Sequence, residues 1–229
     1  VLNVGLMPMG RRANFVPFTW QAIRVSSFWQ SNQKLWRDPL GGVSLYVTTL
    51  YWGVGAVIQF AVLLWAQQTL HIPLEKGAFL QAIVAVGVIA GAGLAGYQFR
   101  LESASRVLPL GIVLGLLLPA IAFTQSLSWA IPLMLIVGLV GGVLMVPMNA
   151  MLQHRGFELL TAGRSIAVQG FNENASVLLL LGIYSGLLAM HMPLNAIMTI
   201  LGVAMALGMA YLTWRGRRLP STAVRELKN

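Results

Sequence analysis

Residues 129–151 read WAIPLMLIVGLVGGVLMVPMNAM, a run of twenty-three residues without a charged side chain. A helix rises 1.5 Å per residue, so this run is about 35 Å long and covers the roughly 30 Å hydrocarbon core of a bilayer. Its glycines and prolines would weaken a helix in water, but they are common in membrane helices. The run therefore predicts a membrane-spanning helix.

Five further apolar runs lie on either side of it, at residues 43–66, 78–99, 107–125, 165–190 and 192–214. Hydrophobic residues make up 57% of the 229 residues and charged residues 9%, whereas soluble domains carry about 25% charged residues. This composition excludes a soluble globule, and the absence of cysteine excludes a disulfide scaffold. We predict an all-α membrane protein with a six-helix transmembrane bundle at 43–214, a linker region at 1–42 and a basic cytoplasmic tail at 215–229.

The net charge of +9 comes from basic residues that lie outside the predicted membrane helices. Five precede the first helix, two lie in the second-to-third connection, two in the fourth-to-fifth and five in the tail, which places fourteen on one side. The other side carries only Lys76. Cytoplasmic loops are enriched in Lys and Arg, so this asymmetry predicts that both termini are cytoplasmic. The basic excess is thus a topology signal, and we expect no nucleic acid partner.

The first 42 residues have a different character. Residues 1–9 form an apolar stub before Arg11 and Arg12, and it resembles the cytoplasmic end of a preceding membrane helix, which would make the chain a fragment; a small surface anchor is the alternative. Residues 21–36 predict a basic, amphipathic linker helix on the membrane surface. We expect lipid contacts from Ile23, Phe28, Leu35 and Trp36, and phosphate contacts from Arg24 and Lys34.

Motifs for catalysis or cofactor binding are missing from the sequence. Residues 91–96 read GAGLAG and match a dinucleotide-binding loop by letter, but no strand precedes them. No lysine follows the Walker glycine spacing, and the three histidines lack an HExxH pattern or a carboxylate cluster. We expect no cofactor, no metal site and no enzymatic activity.

Glycine pairs four residues apart recur in the apolar runs. This spacing puts both glycines on one helix face, where they allow close approach of a second helix. We therefore expect them to serve in helix packing. The pairs are Gly87 and Gly91, Gly111 and Gly115, Gly138 and Gly142, and Gly182 and Gly186.

The run at 165–190 carries the polar residues best placed for function. Gln169, Asn172, Glu173 and Ser176 fall within about 100° of arc on a helix, and Glu173 is the only charged residue well inside a predicted span. A carboxylate at that depth costs at least about 2.5–3.5 kcal/mol to insert, so we expect it to face a wet cavity, to have a partner or to be protonated. A packing residue that hydrogen-bonds to a neighbouring helix is the alternative.

Two other runs add candidates to the same site. Thr48, Trp52 and Gln59 share a helix face, and Pro147 loosens another helix just before Asn149. We predict that three helices line one polar cavity; interhelical hydrogen bonding is the alternative for Gln59 and Asn149, and simple packing for Trp52. The candidate substrate-binding residues are Glu173, Asn172, Gln169, Ser176, Gln59, Trp52, Thr48 and Asn149.

Several of these segments resemble a known family, the bacterial lysophospholipid transporters, in its C-terminal half. The resemblance lies in residues 35–37 (LWR), 51–55 (YWGVG), 146–150 (VPMNA), 153–156 (QHRG), 166–169 (IAVQ), 173–174 (EN) and 181–185 (LGIYS). That family belongs to the major facilitator superfamily, whose members consist of two six-helix bundles. Two positions depart from its pattern: Gln59 stands where we expect arginine, and Asn172 where we expect glycine.

The resemblance implies one half of a twelve-helix flippase. Such proteins move lysophospholipids, mainly lysophosphatidylethanolamine, from the outer to the inner leaflet of the bacterial inner membrane, where an acyltransferase/acyl-carrier-protein synthetase restores the second acyl chain. In that role Glu173 would bind the ethanolamine ammonium, and Gln169, Asn172 and Gln59 would bind phosphate and glycerol, while the acyl tail stays in lipid through a lateral opening. The implied partners are the lysophospholipid, membrane lipids, the N-terminal six-helix half and the acyltransferase.

Two other functions fit the same pattern of helices. A major facilitator exporter of drugs or other amphiphiles would also have apolar helices and a buried acid. A non-transporting membrane scaffold for an acyltransferase would bind that enzyme and leave the leaflet asymmetry of lysolipid unchanged. An embedded enzyme fits less well, because a lone carboxylate lacks the second acid, base or metal that catalysis requires.

Overall fold

A computed structural model of the chain describes residues 25–98 and 106–216. Within these ranges it contains seven α-helices and no strand, which confirms the predicted all-α class. The helices are α1 (Val25–Arg37), α2 (Pro39–Thr69), α3 (Leu74–Gln98), α4 (Leu108–Ala122), α5 (Leu127–Leu159), α6 (Ala162–Ala189) and α7 (Leu194–Gly216). The predicted stub at 1–9 and most of the predicted tail lie outside the described residues.

Five of the helices, α2, α3, α5, α6 and α7, are long and apolar enough to cross a membrane. The apolar helix α4 has 15 residues, so its length is about 22 Å and falls short of a 30 Å core. The predicted span at 107–125 was therefore too long. Polar residues at 124–126 favour a turn, and Pro119 removes a backbone donor shortly before the helix ends.

The helices pack in three main pairs, α3 with α5, α4 with α7, and α2 with α6. Glycine makes the first two contacts possible. A Cβ at Gly87 or Gly91 would overlap the backbone of α5, and a Cβ at Gly115 would overlap the backbone of α7. Three of the four predicted glycine pairs therefore lie at helix contacts. The fourth, Gly182 and Gly186 on α6, faces open space, because no atom lies within 4 Å of where a Cβ would stand at either residue.

Helix α1 lies against the bundle and turns part of its predicted lipid face inward. Leu35 is fully buried in an apolar cluster with Leu45, Leu152 and Val168. Phe28 makes an edge-to-face contact with the ring of Phe171, with 5.2 Å between the ring centroids. The predicted lipid contact of Leu35 was therefore wrong, because an amphipathic pattern does not reveal which apolar environment the face will meet. Phe28 is partly buried, and its predicted lipid contact stays a prediction.

The exposed side of α1 carries other apolar residues. Val25 is 83% exposed and Trp29 59% exposed, and Trp36, one of the predicted lipid-facing residues, is 36% exposed. These three positions lie within about 40° of one another around the helix. They form an exposed apolar face of α1. Ile23 and Arg24, also predicted to contact the membrane, lie outside the described residues.

An ion pair joins the start of α2 to the end of α5. Arg155 Nη2 lies 2.6 Å from Asp38 Oδ1, and Arg155 Nε donates to Asp38 Oδ2 at 3.0 Å. Asp38 also caps α2, because its Oδ2 accepts a hydrogen bond from the Gly41 amide at 2.7 Å. Burial acts to raise the pKa of Asp38, but the hydrogen bonds from Arg155 and Gly41 and the charge of Arg155 outweigh it and hold this pKa below its ordinary value of 3.8.

This pair is expected to stabilise the fold at neutral pH and to lose its effect in acid. The folded-state pKa is depressed, so the contribution is fully present above the unfolded pKa and disappears as the pH falls through the folded pKa. Asp38→Asn should lower the free energy of unfolding at neutral pH by about 1.5–3 kcal/mol, and its difference from the wild type should shrink below pH 3.8. Thermal unfolding of the purified chain in detergent across this pH range measures the difference.

Glu158 provides the matched control for this prediction. It accepts a hydrogen bond from Arg155 Nη1 at 2.7 Å but is 38% exposed, so Glu158→Gln should cost less than about 1 kcal/mol. Equal stability of wild type and Asp38→Asn at neutral pH would contradict the assigned role of the pair.

Candidate functional site

A polar cluster joins α5 and α6 near the middle of the bundle. Gln169 donates from Nε2 to Asn149 Oδ1 at 3.1 Å and to Glu173 Oε1 at 2.9 Å. Gln169 and Glu173 lie one turn apart on α6, and Asn149, two residues after Pro147 on α5, accepts from Gln169. The structure thus brings together three of the eight predicted site residues. We call Asn149, Gln169 and Glu173 the α5–α6 cluster.

Glu173 lies well inside the length of α6. Helix α6 has 28 residues and is about 42 Å long. Glu173 lies eleven residues, or about 17 Å, from the helix start at Ala162. Its carboxylate is therefore far from both helix ends. A charge that deep in a membrane helix needs a partner or a wet surface.

The α5–α6 cluster keeps donor and acceptor capacity for a ligand. Within the part of the chain that the structure describes, no hydrogen bond uses Glu173 Oε2 or Asn149 Nδ2. A carboxylate oxygen can accept from an ammonium group, and an amide nitrogen can donate to a phosphate or a hydroxyl oxygen. The three side chains are partly buried, so a ligand can reach them without unfolding the helices.

Asn172 lies beside Glu173 in sequence but is held by α1. Its Nδ2 donates to Asn32 Oδ1 at 2.7 Å and to the Val168 carbonyl at 2.7 Å, and its Oδ1 accepts from Trp36 Nε1 at 3.0 Å. Adjacent helical residues point about 100° apart, so α1 covers Asn172 while Glu173 turns toward α5. The predicted grouping of Asn172 with Glu173 is therefore not what the structure shows.

Ser176 and Thr48 lie in helix contacts. The Ser176 hydroxyl occupies the space that a Cβ at Gly53 of α2 would fill. Thr48 is fully buried, and its hydroxyl donates to the Leu45 carbonyl at 3.2 Å. Both residues support helix packing in this structure, so the predicted polar cavity does not extend to them.

A cavity of about 670 Å³ lies among the helices and has an almost wholly apolar lining. Of the eight predicted site residues, Trp52 and Gln59 line it, together with Tyr51 and Gln81. The prediction was a polar cavity shared with Glu173, which this cavity is not. Gln81 Nε2 donates to the Gln59 carbonyl at 2.7 Å, and the Tyr51 and Trp52 rings meet edge to face at 6.1 Å. Volumes of about 300–1,000 Å³ with a few polar groups are typical of ligand sites.

The cavity and the α5–α6 cluster lie on one face of α6. Val177 lines the cavity and follows Glu173 by four residues, which is one turn and about 6 Å along the same face. Gln169 precedes Glu173 by the same spacing. The α5–α6 cluster, with its carboxylate, therefore lies next to the apolar cavity. This arrangement suits an amphiphilic ligand.

Sequence reasoning missed three residues that the structure makes prominent. Tyr51 and Gln81 line the cavity, and Asn32 holds Asn172. Tyr51 and Gln81 were visible as polar side chains within apolar runs, which is the signal that identified Gln59. Asn32 lies in a polar helix, where an asparagine carries no such signal.

Comparison with curated proteins finds transporters. The chain is 38% identical over 210 residues to the lysophospholipid transporter LplT of Klebsiella pneumoniae (strain 342), a match that covers 91% of this chain and 51% of that protein. The LplT proteins of Salmonella arizonae and Escherichia coli O139:H28 are 38% identical over 203 residues and 36% identical over 202 residues. Each of these two matches covers 87% of this chain and 51% of the relative.

The chain therefore spans about half the length of the curated relatives it matches. The match confirms the resemblance predicted from the sequence and is consistent with a C-terminal half. The relatives are named as transporters and not as enzymes, which agrees with the expectation that the chain is no enzyme. No family model matches the chain. No solved structure matches it either.

Proposed function

We propose that this chain, a homologue of the lysophospholipid transporters over nine-tenths of its length, is one six-helix half of a major facilitator transporter that moves lysophospholipids. The observation that carries the proposal is the α5–α6 cluster one helical turn from an apolar cavity. A lysophospholipid has a polar head group and a single acyl chain. The two parts of the site match these two parts of the substrate.

The α5–α6 cluster is the head-group site in this proposal. The Glu173 carboxylate accepts from the ethanolamine ammonium, and Asn149 Nδ2 donates to the phosphate or the glycerol. Gln169 orients both partners, because it donates to each of them. Asn172 and Ser176, predicted as ligands, instead hold α6 against α1 and α2.

The apolar cavity is the acyl-chain site. Its lining offers an acyl chain contacts with α2, α3 and α5, and Gln59 and Gln81 place polar groups on one side of it. This differs from the expectation that the tail stays in bulk lipid. Gln59 serves the cavity wall rather than the phosphate, since it lies with Trp52 and not with Glu173.

The rest of the transporter is proposed from the coverage of the relatives and from charge. Helix α6 is the least buried of the five spanning helices, because only 6% of its most apolar 18-residue stretch is buried among the other helices. A second bundle therefore has room to dock against α6. Six of the seven described basic residues lie at one end of the bundle, which supports both termini being cytoplasmic in a bacterial inner membrane. They are Lys34, Arg37, Arg106, Arg155, Arg164 and Arg215, against Lys76 at the other end. Transport toward the inner leaflet would supply the acyltransferase/acyl-carrier-protein synthetase with substrate.

A chimera tests the proposed function. Residues 1–229 replace the aligned half of the Klebsiella pneumoniae relative, and the chimera is expressed in cells that lack their own lysophospholipid transporter. We expect uptake and re-acylation of labelled lysophosphatidylethanolamine to return.

Three outcomes count against the proposal. The first is a chimera present in the membrane at the normal level without uptake. The second is competition by unrelated cationic amphiphiles but not by other lysolipids, which would indicate an exporter. The third is binding of the acyltransferase without transbilayer movement of lysolipid, which would indicate a scaffold.

A further inference from the structure

The apolar cavity is elongated along α2. Its lining on this helix runs from Tyr51 to Val62, which are eleven residues, or about 17 Å, apart. We call the Tyr51 end the near end and the Val62 end the far end. The lining residues at the far end come from three helices and belong to one buried core cluster. They are Val62, Ile121 and Met134.

Helix α6 runs beside α2 in the same direction. Leu45 of α2 shares a buried apolar cluster with Val168 of α6, and eight residues further along both helices Gly53 meets the Ser176 hydroxyl. Glu173 lies three residues before Ser176, so in this register it is level with the position of α2 just before the near end. A head group held at the α5–α6 cluster therefore leaves its acyl chain at the near end, from which the cavity extends along α2.

The far end closes the cavity. Val62, Ile121 and Met134 are each at most 3% exposed, so they pack in the core and block a longer chain. An extended chain of single bonds advances about 1.2 Å per bond, as it does in an extended polypeptide. A cavity about 17 Å long therefore holds about fourteen carbons of a straight acyl chain.

Gly55 keeps the middle of this passage open. It lines the cavity, and no atom lies within 4 Å of where a Cβ would stand. Gly53 differs, because a Cβ there would overlap the Ser176 side chain. A side chain at Gly55 would therefore occupy cavity space without displacing a neighbouring helix. Gly55 lies seven residues, or about 10 Å, before Val62, so a bulky residue there would cut off about eight carbons of the passage.

We propose that this cavity limits the length of the acyl chain, with Gly55 as the open passage and with Val62, Ile121 and Met134 as the end wall. This limit rests on the proposed function, because its occupant is the acyl chain of a lysophospholipid whose head group lies at the α5–α6 cluster. About fourteen carbons of that chain lie inside the cavity. The remaining carbons of a longer chain have no room beyond the end wall and gain no further contact there.

Binding of lysophosphatidylethanolamines of two chain lengths to the purified chain tests this limit. Native mass spectrometry in detergent compares a chain of about twelve carbons, which fills most of the cavity, with one of about six carbons, which ends close to Gly55. We expect Gly55→Phe to weaken binding of the longer lipid by about tenfold, because a side chain added to a filled space is overpacked. Binding of the shorter lipid should change little.

Gly93→Phe is the matched control. Gly93 lies on α3, outside the cavity lining, and also has no atom within 4 Å of a Cβ position, so both lipids should bind this variant as they bind the wild type. An unchanged ratio of long-chain to short-chain binding in folded Gly55→Phe would overturn the length limit and leave the proposed function standing. Absence of binding of either lipid to the wild-type chain would count against the proposed function, and the length limit would fall with it.

Photocrosslinking to the wild-type chain gives a second readout that needs no variant. A lysophosphatidylethanolamine with about twelve carbons carries a diazirine on its last carbon, and mass spectrometry identifies the labelled residues. We expect labels at the end wall, on Val62, Ile121 or Met134. Labels confined to exposed residues of α6, such as Leu178 and Leu179, would place the tail outside the cavity and overturn the length limit.

Discussion

Replacing Glu173 with alanine is expected to remove lysophosphatidylethanolamine uptake by the chimera. The carboxylate accepts from Gln169 at 2.9 Å and keeps a second oxygen for the head-group ammonium. A hydrogen bond to a charged group contributes about 1.5–3 kcal/mol, so its loss should lower uptake by about tenfold to a hundredfold. Initial uptake rates, normalised to the amount of chimera in the membrane, measure the effect.

Two further variants separate charge from packing at this position. Glu173→Gln keeps the oxygen that accepts from Gln169 but removes the negative charge, so it should lose uptake almost as fully as the alanine variant. Glu75→Ala removes an acid from the first turn of α3, outside the described site, and should leave uptake intact. Full uptake by Glu173→Gln would assign Glu173 to helix packing, and full uptake by Glu173→Ala would contradict the head-group site.

The sequence predicted that Gln169, Glu173 and Asn149 would meet, but they are three of the eight residues that it grouped. Gln169, Glu173 and Asn149 come from two apolar runs, and a polar side chain in such a run needs a partner on a neighbouring helix. The need for a partner can be recognised from each apolar run by itself, so a single sequence is enough to predict it. The glycine pairs of α3 and α5 were predictable for the same reason, because their spacing defines a packing face.

The division of the polar stripe on α6 was not predictable from its periodicity. Helical arithmetic puts Asn172 and Ser176 within about 100° of Glu173, but three different helices contact this arc. Helix α1 holds Asn172, α2 packs on Ser176, and α5 meets Gln169. Which neighbour covers which part of an arc depends on tertiary packing, and a single sequence does not contain that information.

The ion pair of Asp38 and Arg155 is a second case in which local sequence does not reveal a tertiary contact. Asp38 before Pro39 follows a common pattern for a helix start, and it caps α2 in the structure, although the predicted span began only at residue 43. Its partner is 117 residues away in the chain. Local patterns predict the cap but not the pairing.

Replacing Gly91 with valine is expected to prevent α3 and α5 from packing. A Cβ at Gly91 would overlap the carbonyl group of Leu139 on α5, and a backbone atom cannot move aside as a flexible side chain can. Overpacking typically lowers the free energy of unfolding by about 1–3 kcal/mol. Because the clash is with backbone, we expect Gly91→Val to lose at least the upper value of this range. A Cβ at Gly138 of α5 would likewise overlap the carbonyl group of Val84 on α3. The two backbones are therefore equally close there, and a shift of α5 along α3 would not remove the clash at Gly91.

Gly93 supplies the matched control on the same helix. It lies two residues further along α3 and has nothing within 4 Å of the position a Cβ would take, so Gly93→Val adds the same side chain without a clash. We expect the purified Gly91→Val chain to aggregate or to unfold at a much lower temperature in detergent, and Gly93→Val to unfold near the wild-type temperature. Equal losses in both variants would mean that valine weakens α3 itself, and the close approach of α3 and α5 would then not be what limits stability.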